Sequence, residues 1–145
     1  EGDPDALDRC AESFAALVEY ADAAGINVLI ENHWGLSSEP EWLMGLMRKV
    51  NHPRFGTLPD FGNFPDTVDR YGAVRQMMPL AKAVSAKCYD FDNATGDETK
   101  IDFARMMGIV LDAGYIGYVG IEYEGERLSE RDGILACKTL LEKFQ

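Results

Sequence analysis

Four short apolar runs in this sequence each close on a charge. Ile26-Asn27-Val28-Leu29-Ile30 ends on Glu31, Gly56-Thr57-Leu58-Pro59 on Asp60, Ala83-Val84-Ser85-Ala86 on Lys87, and Tyr118-Val119-Gly120-Ile121 on Glu122. One Glu at a strand end is ordinarily a solvated loop residue, but a device used four times suggests one shared site. Three carboxylates gathered where water is scarce repel one another, and their pKa values rise unless a cation neutralises them. A divalent metal is the economical cation. Glu31, Asp60 and Glu122 offer oxygen only, which favours Mg2+ or Mn2+ over a thiolate- or imidazole-rich zinc site. His33 stands two residues past Glu31; if the strand persists that far it points the same way, as a further ligand or a general acid/base. Asp60 also precedes a turn, so an Asx role competes with ligation. Lys87, set between Ala86 and Cys88, is poorly suited to open surface and reads as a functional lysine. His52, before Pro53, reads as a loop residue, and Glu124 and Glu126 read as solvated.

The elements that must carry these groups alternate along the chain. Asp3-Pro4 is a helix start, a capping residue followed by a proline in the first turn, and Leu7, Phe14, Leu17, Val18 and Ala21 recur at helical spacing over roughly 4–24. After the first strand, Ser38-Glu39-Pro40-Glu41 offers a capping box for a helix carrying Trp42, Leu43, Leu46 and Met47, which Asn51 to Pro53 ends. Strands are expected at about 55–60, 82–89 and 117–123, with helices from Val68 to about Leu80, from an Asp102 cap to Gly114, and from Ser129-Asp132 to near Phe144. Asp90 to Lys100 is the longest polar loop. The order α-β-α-β-α-β-α-β-α, without a hairpin signal, implies an α/β fold of parallel strands joined by crossover helices. In such sheets ligands sit at the carboxyl ends of the strands, where all four charges fall.

Composition narrows the function. A chain of 145 residues, 46% hydrophobic, suits one domain, residues 1–145, with a real core. Fourteen Lys and Arg against 25 Asp and Glu give a net charge of −11, and without a basic cluster nucleic acid is a poor partner. No apolar run approaches the ~20 residues of a membrane helix, and no basic-then-apolar leader is visible. No membrane association and a cytoplasmic setting are therefore expected. Cys10, Cys88 and Cys137 are far apart and read as reduced, mostly buried thiols without a zinc site. The chain starts at Glu1-Gly2-Asp3 without Met, which suggests a piece of something longer.

Four motifs in this order, Leu29-Ile30-Glu31-Asn32-His33-Trp34-Gly35, Leu58-Pro59-Asp60-Phe61-Gly62-Asn63-Phe64, Ser85-Ala86-Lys87-Cys88-Tyr89-Asp90-Phe91-Asp92 and Gly117-Tyr118-Val119-Gly120-Ile121-Glu122-Tyr123-Glu124-Gly125, resemble the last four strand ends of the xylose isomerase-like TIM barrels. That superfamily holds sugar and sugar-phosphate isomerases and epimerases, inosose and dehydroshikimate dehydratases, and the endonuclease IV branch. The resemblance implies a metal held by Glu, Asp, His and Glu. Glu31, Asp60 and Glu122 match the first, second and fourth, whereas the usual His-x-Lys reads Ser85-Ala86-Lys87. A serine hydroxyl is a weak ligand, so the shell is completed by water, His33 or Asn63, or the metal is held more loosely, with zinc less favoured. The resemblance further implies an acid/base pair, Glu31 and Glu122, flanking a ketose or hydroxy-ketone, with His33 assisting and Lys87 stabilising the enediolate oxygen. Asn32, Trp34, Asn63 and Ser85 are expected to touch the substrate, and Phe61, Phe64, Trp34 and Tyr89 to wall the pocket. A complete barrel has eight strands in ~250 residues; this chain resembles the carboxyl-terminal half, four strands and five helices. Open sheet edges are a liability, so self-association or a missing amino-terminal half is expected. The leading expectation is a metal-dependent sugar isomerase or epimerase. The rivals are a dehydratase on a cyclic polyol and a non-catalytic sugar-binding or assembly half-barrel.

Overall fold

The apolar runs become short parallel strands, and the periodic segments between them become the helices that cover one side. In the computed structural model, which describes Asp3 and residues 5–144, the order is α1 (Ala6–Asp22), β1 (Val28–Glu31), α2 (Pro40–Val50), β2 (Phe55–Leu58), α3 (Arg70–Met77), β3 (Val84–Cys88), α4 (Phe103–Asp112), β4 (Val119–Tyr123) and α5 (Glu130–Leu141). The family-wide expectation of an α/β half-barrel with four strands and five helices is met.

Helix ends follow local chemistry, with two exceptions. Asp102 accepts a hydrogen bond from Arg105 N–H at the start of α4, and Ser129 from Asp132 N–H at the start of α5. Gly114 takes the left-handed conformation (φ 72°) just past α4, where only a residue without a Cβ is at ease. At α1 the capping position belongs to Asp5 rather than Asp3, and Pro4 lies outside the described residues. At α2 the expected capping box does not form. Ser38 closes a short 3-10 turn, and its buried hydroxyl donates to the Asn63 carbonyl at 2.7 Å. Glu39 takes the capping position without a side-chain bond, and Pro40, which has no N–H to satisfy, opens the helix.

The strands lie in the order β1-β2-β3-β4. β1 pairs with β2 (Val28 opposite Phe55, Glu31 opposite Leu58) and β3 with β4 (Val84 opposite Val119, Lys87 opposite Glu122). Between β2 and β3 the ladder is reduced to parallel bridges at Thr57–Ala81 and Asp60–Ser85. The expected four-stranded sheet is thus two pairs joined by a few bonds. Pro59 is the physical reason: its carbonyl accepts from Ser85 N–H at 2.9 Å, but it has no N–H to give back.

Alternation along β3 and β4 puts Ser85, Lys87 and Glu122 on the face opposite Val84, Ala86 and Cys88. The helix-covered side holds the core, which includes Val18, Leu43, Leu46, Val74, Met106, Val110 and Leu140. Phe61 and Phe64 belong to it too, Phe61 meeting Phe103 edge-to-face at 5.6 Å. They are therefore not the pocket walls expected of them: fully enclosed rings stabilise the fold by area burial and have no face left for a ligand. The Asp90–Lys100 loop is folded rather than loose. Glu98, almost buried, accepts backbone N–H groups from Tyr89, Asp90, Lys100 and Ile101, while Arg127 reaches Asp90 (2.7 Å), Asn93 (3.0 Å) and the Phe91 carbonyl. All three cysteines are free, Cys88 and Cys137 buried. Among the described residues no helix is long and apolar enough to cross a membrane.

Candidate metal and catalytic site

Asp60 is the most constrained member of the site, and Asn32 is what constrains it. The Asp60 N–H donates to Asn32 Oδ1 at 2.8 Å, and Asn32 Nδ2 donates back to the Asp60 carbonyl at 3.1 Å. Asn32 is wholly buried, so the residue expected to touch substrate instead clamps a backbone, both ends of its amide engaged. The Asp60 side chain then plays both roles weighed for it. Oδ1 accepts the N–H groups of Gly62 and Asn63, each at 2.8 Å, in an Asx turn. Oδ2 is buried without a hydrogen-bond partner.

The other strand ends converge on the same carboxylate. One carboxylate oxygen each from Glu31, Asp60 and Glu122 lie within 4.8 Å of one another. Three oxygens bound to one small hard cation at ~2.1 Å can stand mutually at most about 3.6 Å apart, and about 4.5 Å at the ~2.6 Å of a larger one. Closure of up to about an ångström would seat a small divalent ion, and an all-oxygen donor set with an unpartnered buried oxygen suits Mg2+ or Mn2+. Glu31 Oε1 also accepts from Asn63 Nδ2 at 3.3 Å. The Ser85 hydroxyl stands beside both Asp60 and Glu122 and has one proton to give; its hydrogen bond goes to Glu122 Oε2 at 3.3 Å, which leaves Asp60 Oδ2 alone.

Lys87 is the cation the chain supplies itself. Its side chain is 1% exposed, and Nζ lies 2.9 Å from Asn63 Oδ1, 3.1 Å from Glu122 Oε1 and 3.1 Å from Glu124 Oε2. The stem passes over Gly62, where a Cβ would stand 2.8 Å from Lys87 Cδ and 2.4 Å from the Tyr89 hydroxyl, so only glycine fits.

The electrostatics follow from this crowding. Burial, then the neighbouring Asp60 charge, push the Glu31 carboxyl above its usual range, against a smaller opposing pull from His33. Burial raises Asp60 as well, more than the Gly62 and Asn63 N–H groups, with a Ser85 hydroxyl turned its way, can offset. For Lys87 burial pulls downward, but the hydrogen bonds its ammonium donates to Glu122 and Glu124 outweigh it and hold it above the ordinary lysine value.

Six expected site residues therefore meet: Glu31, Asp60, Asn63, Ser85, Lys87 and Glu122. His33 and Trp34 do not join them. β1 ends at Glu31, so the two-residue alternation that would have aimed His33 inward is lost; His33 is exposed and its N–H donates to Ser37 Oγ at 2.8 Å. Trp34 is half exposed, in a backbone conformation (φ 57°, ψ 172°) that glycine ordinarily occupies. Tyr89 is half-buried, its hydroxyl donating to the Gly62 carbonyl at 3.3 Å. Glu124, read as solvated, is the residue that sequence reasoning missed. Its position two beyond Glu122 on the same strand face was the available signal. A cavity of about 360 Å3 lined by Met107, Val119, Ile121, Leu141 and Phe144 lies away from the strand ends. Its charged neighbours Lys138 and Glu142 pair with each other, so it does not compete as the reacting site.

Half-barrel and strand-end carboxylates define a class. Residues 1–141 match the sequence profile of the xylose isomerase-like TIM barrel, and the chain belongs to that family. A search of curated proteins finds no match to the sequence. Among solved structures the chain is similar to an L-ribulose 3-epimerase, with a TM-score of 0.82 and 14% identity over 99% of this chain and 55% of that one. It is also similar to a family 2 AP endonuclease from Brucella melitensis, with a TM-score of 0.64 and 22% identity over 86% of this chain and 50% of that one. At such identities the likeness is one of fold. The chain spans about half the length of both structures.

Proposed function

We propose that this chain carries the metal and proton-transfer half of a sugar, or sugar-phosphate, isomerase or epimerase in the cytoplasm. The observation that carries the reading is the convergence of the Glu31, Asp60 and Glu122 carboxylates, one of which keeps a buried, unpartnered oxygen, with the Lys87 ammonium alongside. A divalent ion, Mg2+ or Mn2+, would be held by these three carboxylates and, when bound, would polarise the substrate carbonyl. Glu31, its proton affinity raised by burial, suits removal of a proton from the carbon next to that carbonyl. Glu122 would return a proton, and Lys87 would offset negative charge developing on the enediolate oxygen. Asn63 bridges Glu31 and Lys87 and would keep base and cation in fixed register. Ser85 orients Glu122, and Asn32 serves substrate only through the Asp60 it clamps.

The two outer strands argue for a partner. β1 is laddered only to β2 and β4 only to β3 among the described residues. In the segments leading into these strands, Tyr20 and Ile26 before β1 and Ile116 (100% exposed) and Tyr118 (96%) before β4 show large apolar surface to solvent. We infer that a complementary βα half, supplied by a second copy or by an amino-terminal half, pairs with both edges, and sedimentation equilibrium reads which. The same exposed edges favour, as a second reading, an assembly module without chemistry of its own.

Titration of metal-stripped protein with Mn2+ separates the readings. The enzyme reading expects one site, lost in Glu122→Ala, and solvent deuterium entering the carbon beside the carbonyl of a ketose such as ribulose. Loss of a hydroxyl with that exchange would mark a dehydratase. No Mn2+ binding by the intact chain would leave the assembly reading standing.

A further inference from the structure

The Lys87 ammonium is fully occupied in the free protein. It has three N–H donors, and three oxygens receive them: Asn63 Oδ1, Glu122 Oε1 and Glu124 Oε2. A lysine so engaged cannot stabilise oxygen on a ligand unless one partner withdraws. The three are unequal. Asn63 is buried, its N–H tied to Asp60 Oδ1 and its amide nitrogen to Glu31. Glu122 is a member of the carboxylate cluster and is also held by Ser85. Glu124 has a side chain 53% exposed, and Lys87 is its ion-pair partner in the structure. Its backbone, by contrast, is fixed: the Glu124 N–H continues the ladder to the Cys88 carbonyl at 2.9 Å. The next residue is Gly125, where a Cβ would stand 1.8 Å from the Tyr89 carbonyl oxygen, so the chain turns away at that point. Glu124 is thus a half-exposed carboxylate on a fixed backbone at the rim.

We propose that Glu124 is a placeholder: in the free protein its Oε2 occupies the position on the Lys87 ammonium that a hydroxyl or carbonyl oxygen of the ligand takes on binding. The inference rests on the reading of this mouth as a ketose site and adds to it the residue that must yield. Glu124 is a positioning residue in this scheme. It keeps a buried ammonium satisfied and aimed while the mouth is empty, and it swings to water when a ligand oxygen replaces it.

Two measurements test this. In the metal-free protein, the Lys87 ammonium protons are observed by nitrogen-edited NMR. Glu124→Ala should speed their exchange with water, whereas unchanged exchange would show that Glu124 does not hold the lysine and would overturn the proposal. In the Mg2+-loaded protein, the neutral probe dihydroxyacetone is titrated. Glu124→Ala should bind it about three- to tenfold more tightly, the scale of one hydrogen bond no longer contested. Glu124→Gln, which keeps an acceptor in place, should gain less. Adding Lys87→Met to Glu124→Ala should abolish the gain. A support that merely braced the lysine predicts the opposite sign, so equal or weaker binding by Glu124→Ala overturns the placeholder, as does a gain that survives Lys87→Met. If neither wild type nor variant binds the probe while Mg2+ is bound, the ketose-site reading fails and the placeholder fails with it.

Discussion

Replacing Asp60 by Asn should make the metal-free protein more stable while removing its response to metal. The wild-type carboxylate keeps Oδ1 satisfied by two backbone N–H groups and leaves Oδ2 buried and unpartnered. Asn retains the Oδ1 acceptor and puts an NH2 donor where Oδ2 stood, in a site where Glu31 and Glu122 carboxylate oxygens lie within 4.8 Å of the Asp60 carboxylate. An unsatisfied buried polar group costs about 1–3 kcal/mol, and the variant removes that cost together with the repulsion of a third charge. For a chain of this size 1 kcal/mol moves Tm by roughly 2–4 °C, so Asn should melt roughly 2–12 °C higher in EDTA at neutral pH. The sign depends on pH. Folding raises the Asp60 pKa above 3.8, so between 3.8 and the raised value the native state holds more protons than the unfolded one, and stability falls as pH rises. The Asn advantage should therefore grow from near pH 4 upward. Saturating Mn2+ reverses the ranking. At a hundred times Kd it stabilises wild type by ~2.7 kcal/mol, and Asn, short of a charge and a ligand, should gain almost nothing. Thermal unfolding with EDTA and with Mn2+ reads both arms. A variant less stable in EDTA, or one stabilised by Mn2+ as much as wild type, would refute the reasoning.

Protons should compete with metal at the same carboxylates. Glu31 and Asp60 both have raised pKa values, so Mn2+ binding should release protons and strengthen with pH above about 4.5; calorimetry in buffers of different ionisation enthalpy would show no release if these groups were already ionised. Asn32→Ala should strand the Asp60 N–H and carbonyl, two buried groups at ~1–3 kcal/mol each, and destabilise by about 2–6 kcal/mol in urea unfolding; a change under ~1 kcal/mol would mean the clamp contributes little. Gly125→Ala, whose Cβ would lie 1.8 Å from a carbonyl oxygen, should lower the urea midpoint well beyond Gly120→Ala, where the nearest atom is 3.5 Å away. Overpacking of that kind costs ~1–3 kcal/mol, and equal midpoints would show that the loop relaxes freely.

What the sequence made legible is what depends on period and order. Apolar runs separated by helical periodicity implied parallel strands, and parallel strands put Glu31, Asp60, Lys87 and Glu122 at one end, where they are found. The same two-residue alternation carried Glu124 to Lys87, but a carboxylate past a strand end reads as solvated until a buried partner is known. His33 failed for a local reason: the alternation argument holds only while the strand lasts, and β1 ends at Glu31. Ser38 failed for a distant one, its hydroxyl taken by Asn63, 25 residues away. Asn32, bonded to a backbone 28 residues on, and Glu98, bonded to the N–H groups of its own loop, belong with Ser38. Side chains that satisfy backbone groups leave no periodic trace, because their partners are set by how segments come together. The two aromatics after Asp60 went inward because a turn beside a strand end is still beside the core.

The arrangement of donors explains why a serine at position 85 is compatible with a metal site. Glu122 has both oxygens engaged by the protein, Oε1 by Lys87 and Oε2 by Ser85, and Glu124 leans on the same lysine. Asp60 has one oxygen engaged by backbone N–H groups and one by nothing. Glu31, Asp60, Glu122 and Glu124 against one ammonium leave three negative charges when all are ionised, and the lysine addresses the Glu122–Glu124 side. Glu31 and Asp60 are the two of these carboxyls whose pKa values are pushed up, chiefly by burial. Ser85 supplies no strong ligand; its hydroxyl donates to Glu122 and steadies that carboxylate instead. A metal ion, if this is its site as proposed, would find its least satisfied protein oxygen at Asp60 Oδ2, which no hydrogen bond reaches.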